Sequence, residues 1–147
     1  MIYMLIFIYL YQKIDILLNN GGLSQRGEAA ESDLSVDRDI MEEKYVETVA
    51  LTKAVLPVMR KQQSGHIVAI SSIAGKFGFF LRSAYSASKH AIQGFFESVL
   101  LEEEKNGIKV TIAYPGKINT DISKSALNSK GEAHGVMDHN QETGMSA

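Results

Sequence analysis

Three short apolar runs, residues 14–18, 66–70 and 109–113, are each separated by a stretch long enough for a helix, and that spacing admits few folds. Near-continuous apolar runs of this length suit strands buried on both faces, as parallel strands are. The first run ends at Asn19-Asn20-Gly21-Gly22. A helical pattern begins near Ser35, with Val36, Ile40, Met41, Val49 and Leu56 on one side. Ser35 is the expected cap, and Pro57 is expected to kink or end the helix. A second helix is expected over 83–104, stopped by Gly107. Parallel strands joined by helices require right-handed crossovers. The fold class is therefore α/β, a three-layer sandwich around a short parallel sheet of about three strands. Residues 123–147 are polar and read as a loop or mobile lid segment.

On that frame the chemistry gathers at Ser71-Ser72 and Tyr85-Ser86-Ala87-Ser88-Lys89. A Tyr and a Lys four residues apart share one helix face, so the ammonium sits close to the phenol. A nearby cation favours the phenolate and draws its pKa from about 10 toward neutrality, making a usable acid and base. Ser72, at the end of a strand, is placed to hydrogen-bond a substrate oxygen; only spacing favours it over Ser71, and either hydroxyl can cap the following turn. The Tyr-x-x-x-Lys spacing recurs at Tyr9 and Lys13, where no partner hydroxyl or carboxylate stands nearby, and there it is a coincidence.

Composition sets the class. The chain of 147 residues is 45% hydrophobic and 22% charged, with net charge −2, which suits one globular domain and offers no basic stripe for nucleic acid. The absence of cysteine excludes disulfide and thiol chemistry. Met1 to Tyr11 is apolar or aromatic throughout, shorter than the ~20 residues of a spanning helix and without a basic n-region or cleavage site. It reads first as a buried strand or helix; membrane-surface anchoring is the alternative. His134, Asp138, His139 and Glu142 match no metal-site spacing and read as a solvated loop, so no metal site is assigned.

Four motifs in order carry a resemblance. Asn19-Asn20-Gly21-Gly22, Gly65 through Gly75, Tyr85 through Lys89, and Tyr114-Pro115-Gly116-Lys117-Ile118-Asn119-Thr120 resemble the strand end, serine strand, active-site helix and Pro-Gly-x-x-x-Thr loop of the short-chain dehydrogenase/reductases. The wording around them is most similar to the member 7 and 7B branch. The resemblance covers residues 13–147, read as the central and C-terminal part of such a domain behind a hydrophobic segment over 1–12. It implies a Rossmann-like fold and carbonyl/alcohol interconversion with NADP or NAD. It assigns Tyr85 as general acid/base, Lys89 as the group that lowers the Tyr85 pKa and contacts the nicotinamide ribose, and Ser72 as the holder of the substrate oxygen. Asn20, Gly21, Tyr85, Lys89, Pro115, Gly116 and Thr120 become the cofactor-binding set. It further implies a small carbonyl or alcohol substrate of lipid-like character, a homo-oligomer formed through helices 35–61 and 83–104, and an intracellular place, cytoplasmic or membrane-associated, the endoplasmic reticulum included.

Two departures qualify that picture. The family cradles the cofactor pyrophosphate in a glycine-rich turn at a helix N-terminus, and this chain has no glycine before Gly21. The expectation is a chain truncated at both ends, with cofactor binding lost or weak; the alternative function is a non-catalytic dimerisation or interaction module. The family also carries an Asn, which holds a proton-relaying water, where this chain has Lys44, and Glu47 stands in place of a Gly. A Lys offers donors only and adds a positive charge near Lys89.

Overall fold

The computed structural model describes residues 13–136 and 143–146. The Met1 to Tyr11 run, together with Asp138, His139 and Glu142, lies outside them.

Three parallel strands form the main sheet: β1 (Ile16–Asn19), β3 (Gly65–Ile70) and β4 (Ile108–Ala113), in the order β1-β3-β4. Leu17 pairs with Ile67, and Ile67 with Val110. Between β1 and β3 run α1 (Leu34–Met41), a π-helical turn (Glu42–Val46) and α2 (Glu47–Gln62); between β3 and β4 runs α3 (Ser83–Glu103). Both crossovers advance across the sheet in one direction, so right-handedness puts α2 and α3 on the same face. Of the three expected layers, the described residues supply the sheet and one helical layer.

The core lies between those two layers. Val55 and Met59 of α2, Ile67 and Ala69 of β3, and Ile92, Phe96 and Val99 of α3 form one buried cluster with Ile108. Side chains alternate along a strand, so the neighbours of these residues face the other way. There Ile16 is 63% and Leu18 58% exposed. At the far end of the helices Glu103, fully buried, accepts hydrogen bonds from the Arg60 guanidinium and from Asn106 Nδ2. The Arg60 bonds hold the Glu103 carboxyl below its ordinary range. Gly107 stops the helix as expected: its φ is +69°, and a Cβ there would lie 2.5 Å from the Gln63 carbonyl oxygen.

The structure corrects four local expectations. The α1 cap is Asp33 rather than Ser35; it makes no side-chain capping bond, and its carboxylate pairs with Lys130 Nζ at 3.2 Å. Helix α2 runs through Pro57 to Gln62. Pro57 is exposed, so the carbonyl it leaves unbonded is within reach of water. The single apolar face expected from Val36 to Leu56 is broken by the π turn, whose extra residue rotates the helix face by about 100°. Accordingly Thr52, Val55 and Met59 are the buried side of α2. Residues 123–147 are not simply a loop: β5 (Leu127–Asn128) pairs parallel with β2 (Gln25–Arg26), and Ser123 and Ala126 are fully buried. No helix among the described residues is long and apolar enough to cross a membrane.

Candidate active site

The carboxyl ends of parallel strands are where open α/β sheets bind ligands. Here β1, β3 and β4 end around a cavity of about 550 Å³. Asn20 and Gly21 enter from β1, Ser72 from β3, Tyr85 and Lys89 from α3, and Pro115, Gly116 and Thr120 from beyond β4. All eight residues singled out in the sequence therefore line one cavity.

Local chemistry distinguishes the two serines. The Ser71 hydroxyl is buried and donates to the Lys89 carbonyl oxygen at 3.4 Å. That close approach of β3 to α3 depends on Gly75, where a Cβ would stand 2.5 Å from Ser71 Oγ and 2.9 Å from Lys89 O. Ser72 accepts the Ala74 N–H at 3.1 Å, capping the turn, and its hydroxyl is one of the groups that draw the Tyr85 pKa down. Lys89 Nζ lies 5.8 Å from the Tyr85 ring centroid and donates to Ile70 O at 2.8 Å.

The electrostatics differ from expectation. Burial raises the Tyr85 pKa above its ordinary value, outweighing the Ser72 hydroxyl and the Arg82 and Arg26 charges that lower it. Lys89 is not among the groups that lower it; burial brings its own pKa down to about 8. The Lys89 ammonium is directed at the Ile70 carbonyl oxygen, and desolvation of the phenol is the largest influence on Tyr85. In this geometry Tyr85 is a protonated phenol at neutrality.

Three residues went unrecognised in the sequence. Arg26 and Arg82 flank the phenol. Gln25, fully buried, accepts the Ala84 N–H at 2.9 Å and donates to Ser32 Oγ at 3.0 Å. Arg82, the cap of α3, makes no side-chain capping bond, so Gln25 satisfies an otherwise free donor one residue before Tyr85. The signal available was a polar residue between Ser24 and Arg26, all three buried, but no periodicity marks a two-residue strand.

On the opposite wall the π turn carries Lys44 into the cavity lining. Lys44 is 3% exposed and donates to Gly21 O at 2.7 Å; its nearest carboxylate, Glu43, is 3.8 Å away. Burial and then the Lys89 charge lower its pKa to about 7, against the opposing pull of Glu43. Asn19 donates to Thr52 Oγ1 at 3.2 Å, tying the end of β1 to α2, while its buried Oδ1 has no partner among the described residues.

The comparisons with known proteins agree with this geometry. A family model described as short chain dehydrogenase matches residues 7–131. Dehydrogenase/reductase SDR family member 7B of Mus musculus is 49% identical over 134 residues, which are 91% of this chain and 42% of that protein. A family protein 7-like relative of Anopheles gambiae is 53% identical over 125 residues, 85% of this chain and 39% of its own. The chain thus spans about two fifths of the length of these curated relatives. Among solved structures, a short-chain dehydrogenase from Streptomyces avermitilis superposes with a TM-score of 0.81 at 35% identity, covering 86% of this chain and 47% of that one. ElxO with NADP bound superposes with a TM-score of 0.76 at 30% identity, covering 79% and 47%. With its ordered motifs gathered on one cavity at the sheet's carboxyl end, the chain belongs to the short-chain dehydrogenase/reductase family, in the member 7 and 7B branch.

Proposed function

We propose that this chain carries the substrate-handling half of a nicotinamide-dependent carbonyl/alcohol oxidoreductase. The observation that carries the reading is the meeting of Tyr85, Ser72 and Lys89 on the wall of one cavity, with Lys89 Nζ 5.8 Å from the Tyr85 ring centroid. Tyr85, protonated at neutrality, is an acid suited to giving its proton to a carbonyl oxygen as that oxygen gains charge; Ser72 holds the same oxygen in place. Phe79, Phe80, Leu81, Ile118 and Ile122 supply an apolar wall that suits a lipid-like substrate.

Asn20, Gly21, Lys89, Pro115, Gly116 and Thr120 fit the nicotinamide-ribose end of a cofactor: Lys89 offers donors for ribose hydroxyls, and the space beside Gly21 and Gly116 is open to 4 Å. When bound, the nicotinamide supplies or accepts the hydride. For the pyrophosphate this chain has no glycine turn ahead of Gly21, so we expect NADPH and NADH to bind no tighter than about millimolar. The test is titration of the chain with nicotinamide mononucleotide, followed by amide shifts. Shifts at Gly21, Gly116 and Lys89 that vanish in Lys89→Met are expected. No response at millimolar ligand would remove the cofactor reading, and micromolar NADPH affinity by calorimetry would overturn the weakened-binding part.

A second reading, a non-catalytic interaction module, is favoured by the outer side of α3, where Leu101 is 74% exposed beside Leu100. Light scattering that reports a dimer lost in Leu101→Lys supports it; a monomer at all concentrations removes it.

A further inference from the structure

Lys44 has no part in the hydride chemistry above, yet its side chain is built into the cavity wall together with that of Lys89. Its setting is specific. The π turn brings it inward, the cavity it lines has an apolar wall at Phe79, Leu81 and Ile122, and Gly21 O accepts one of its N–H groups at 2.7 Å. A neutral amine held by one N–H keeps its lone pair available. We propose that Lys44 is a carbonyl-condensing amine, a site at which small neutral aldehydes or ketones entering the cavity are captured as an imine.

The charges facing Lys44 favour the free amine. The lining contributes Arg26, Arg82, Lys89 and Lys117 and no carboxylate. Glu43, on the same turn, stands at 3.8 Å and is the opposing charge in contact among the described residues. Desolvation and a neighbouring cation are the two devices that activate a lysine as a nucleophile, and Lys44 has both, with a pKa lowered to about 7. The step balances without a redox partner. The Lys44 nitrogen forms a bond to the carbonyl carbon, the carbonyl oxygen takes up a proton to give the carbinolamine, and its loss as water leaves the C=N bond. One amine and one carbonyl give one imine and one water. The capture needs no nicotinamide and stands apart from the oxidoreductase reading.

The experiment treats the whole chain at pH 7 with benzaldehyde and sodium cyanoborohydride, which reduces the imine to a stable secondary amine, and maps the labelled lysines by peptide mass. An ordinary lysine holds roughly one free amine in a few thousand at neutrality, against about half for Lys44. Even with restricted entry, Lys44 should be labelled at least about tenfold faster than exposed Lys61 and Lys105. Its rate should fall from pH 8 to pH 6, and the label should remain on Lys44 in Lys89→Met. Uniform labelling, labelling led by Lys89, or none at Lys44 would overturn the proposal. Mapping the wild-type chain identifies the site without depending on a Lys44 variant that folds.

Discussion

The two faces of the sheet are built from alternate residues of the same strands, yet they live in different solvents. On the helical side Ile67 and Ala69 are buried with Phe96; on the other, Ile16 and Leu18 are more than half exposed among the described residues. Both sets are apolar, so composition does not separate them. What separates them is that both crossovers return on one side, and burial among the elements they bring in lowers the Lys44 pKa to about 7 and raises that of Tyr85.

The strongest challenge to this contrast is Phe96→Ala. Phe96 is fully buried between α2, α3 and the sheet, so the substitution should cost about 3–5 kcal/mol of unfolding free energy in a denaturant titration. A loss under about 1 kcal/mol would mean the helical layer is not the core.

Next in size is a test of how dry that face is. The folded-state pKa of Lys44 lies near 7, below the ~10.4 of an unfolded lysine, so between these values the unfolded chain binds more protons and stability rises with pH. Below pH 7 the full penalty of a buried charge is present. Lys44→Met should therefore raise stability by roughly 2–4 kcal/mol below pH 7, and the gain should fade toward pH ~10. A gain that is flat with pH would show that Lys44 is solvated.

The smallest effect belongs to the bare face. Leu18→Thr introduces a β-branched strand former and removes an exposed apolar side chain, so stability should move by no more than about 0.5 kcal/mol while light scattering reports less self-association. A loss above about 2 kcal/mol would reveal a further layer over β1.

The sequence made the covered side legible because its signals are local. The runs 14–18, 66–70 and 109–113 marked the strands to within two residues, Gly107 marked the stop, and the spacing of Ser72, Tyr85 and Lys89 named three residues that meet in one cavity. Non-local terms were not legible. The π turn exists in the register of Val36 and Ile40 against Val55 and Met59, and no property of Glu42–Val46 alone announces it. The direction of the Tyr85 shift depends on how much protein surrounds the phenol, which residue spacing does not encode. Gln25 and Leu127 lie too far apart for any window of periodicity to join them.

That last pairing bears on the order in which the molecule assembles. Gln25, which fixes the first turn of α3, sits in a two-residue ladder closed by Leu127 and Asn128, and the Leu127 N–H reaches back to Ser24 O at 2.8 Å. The strands and helices of the core can dock through nearer neighbours, but this clasp closes a loop of about a hundred residues for very few bonds, so its closure entropy makes it a late event. On the ribosome the clasp must wait until residue 128 has left the exit tunnel. A nascent chain halted before that point holds a packed core while Tyr85 stands at the head of a helix whose first turn is still loose.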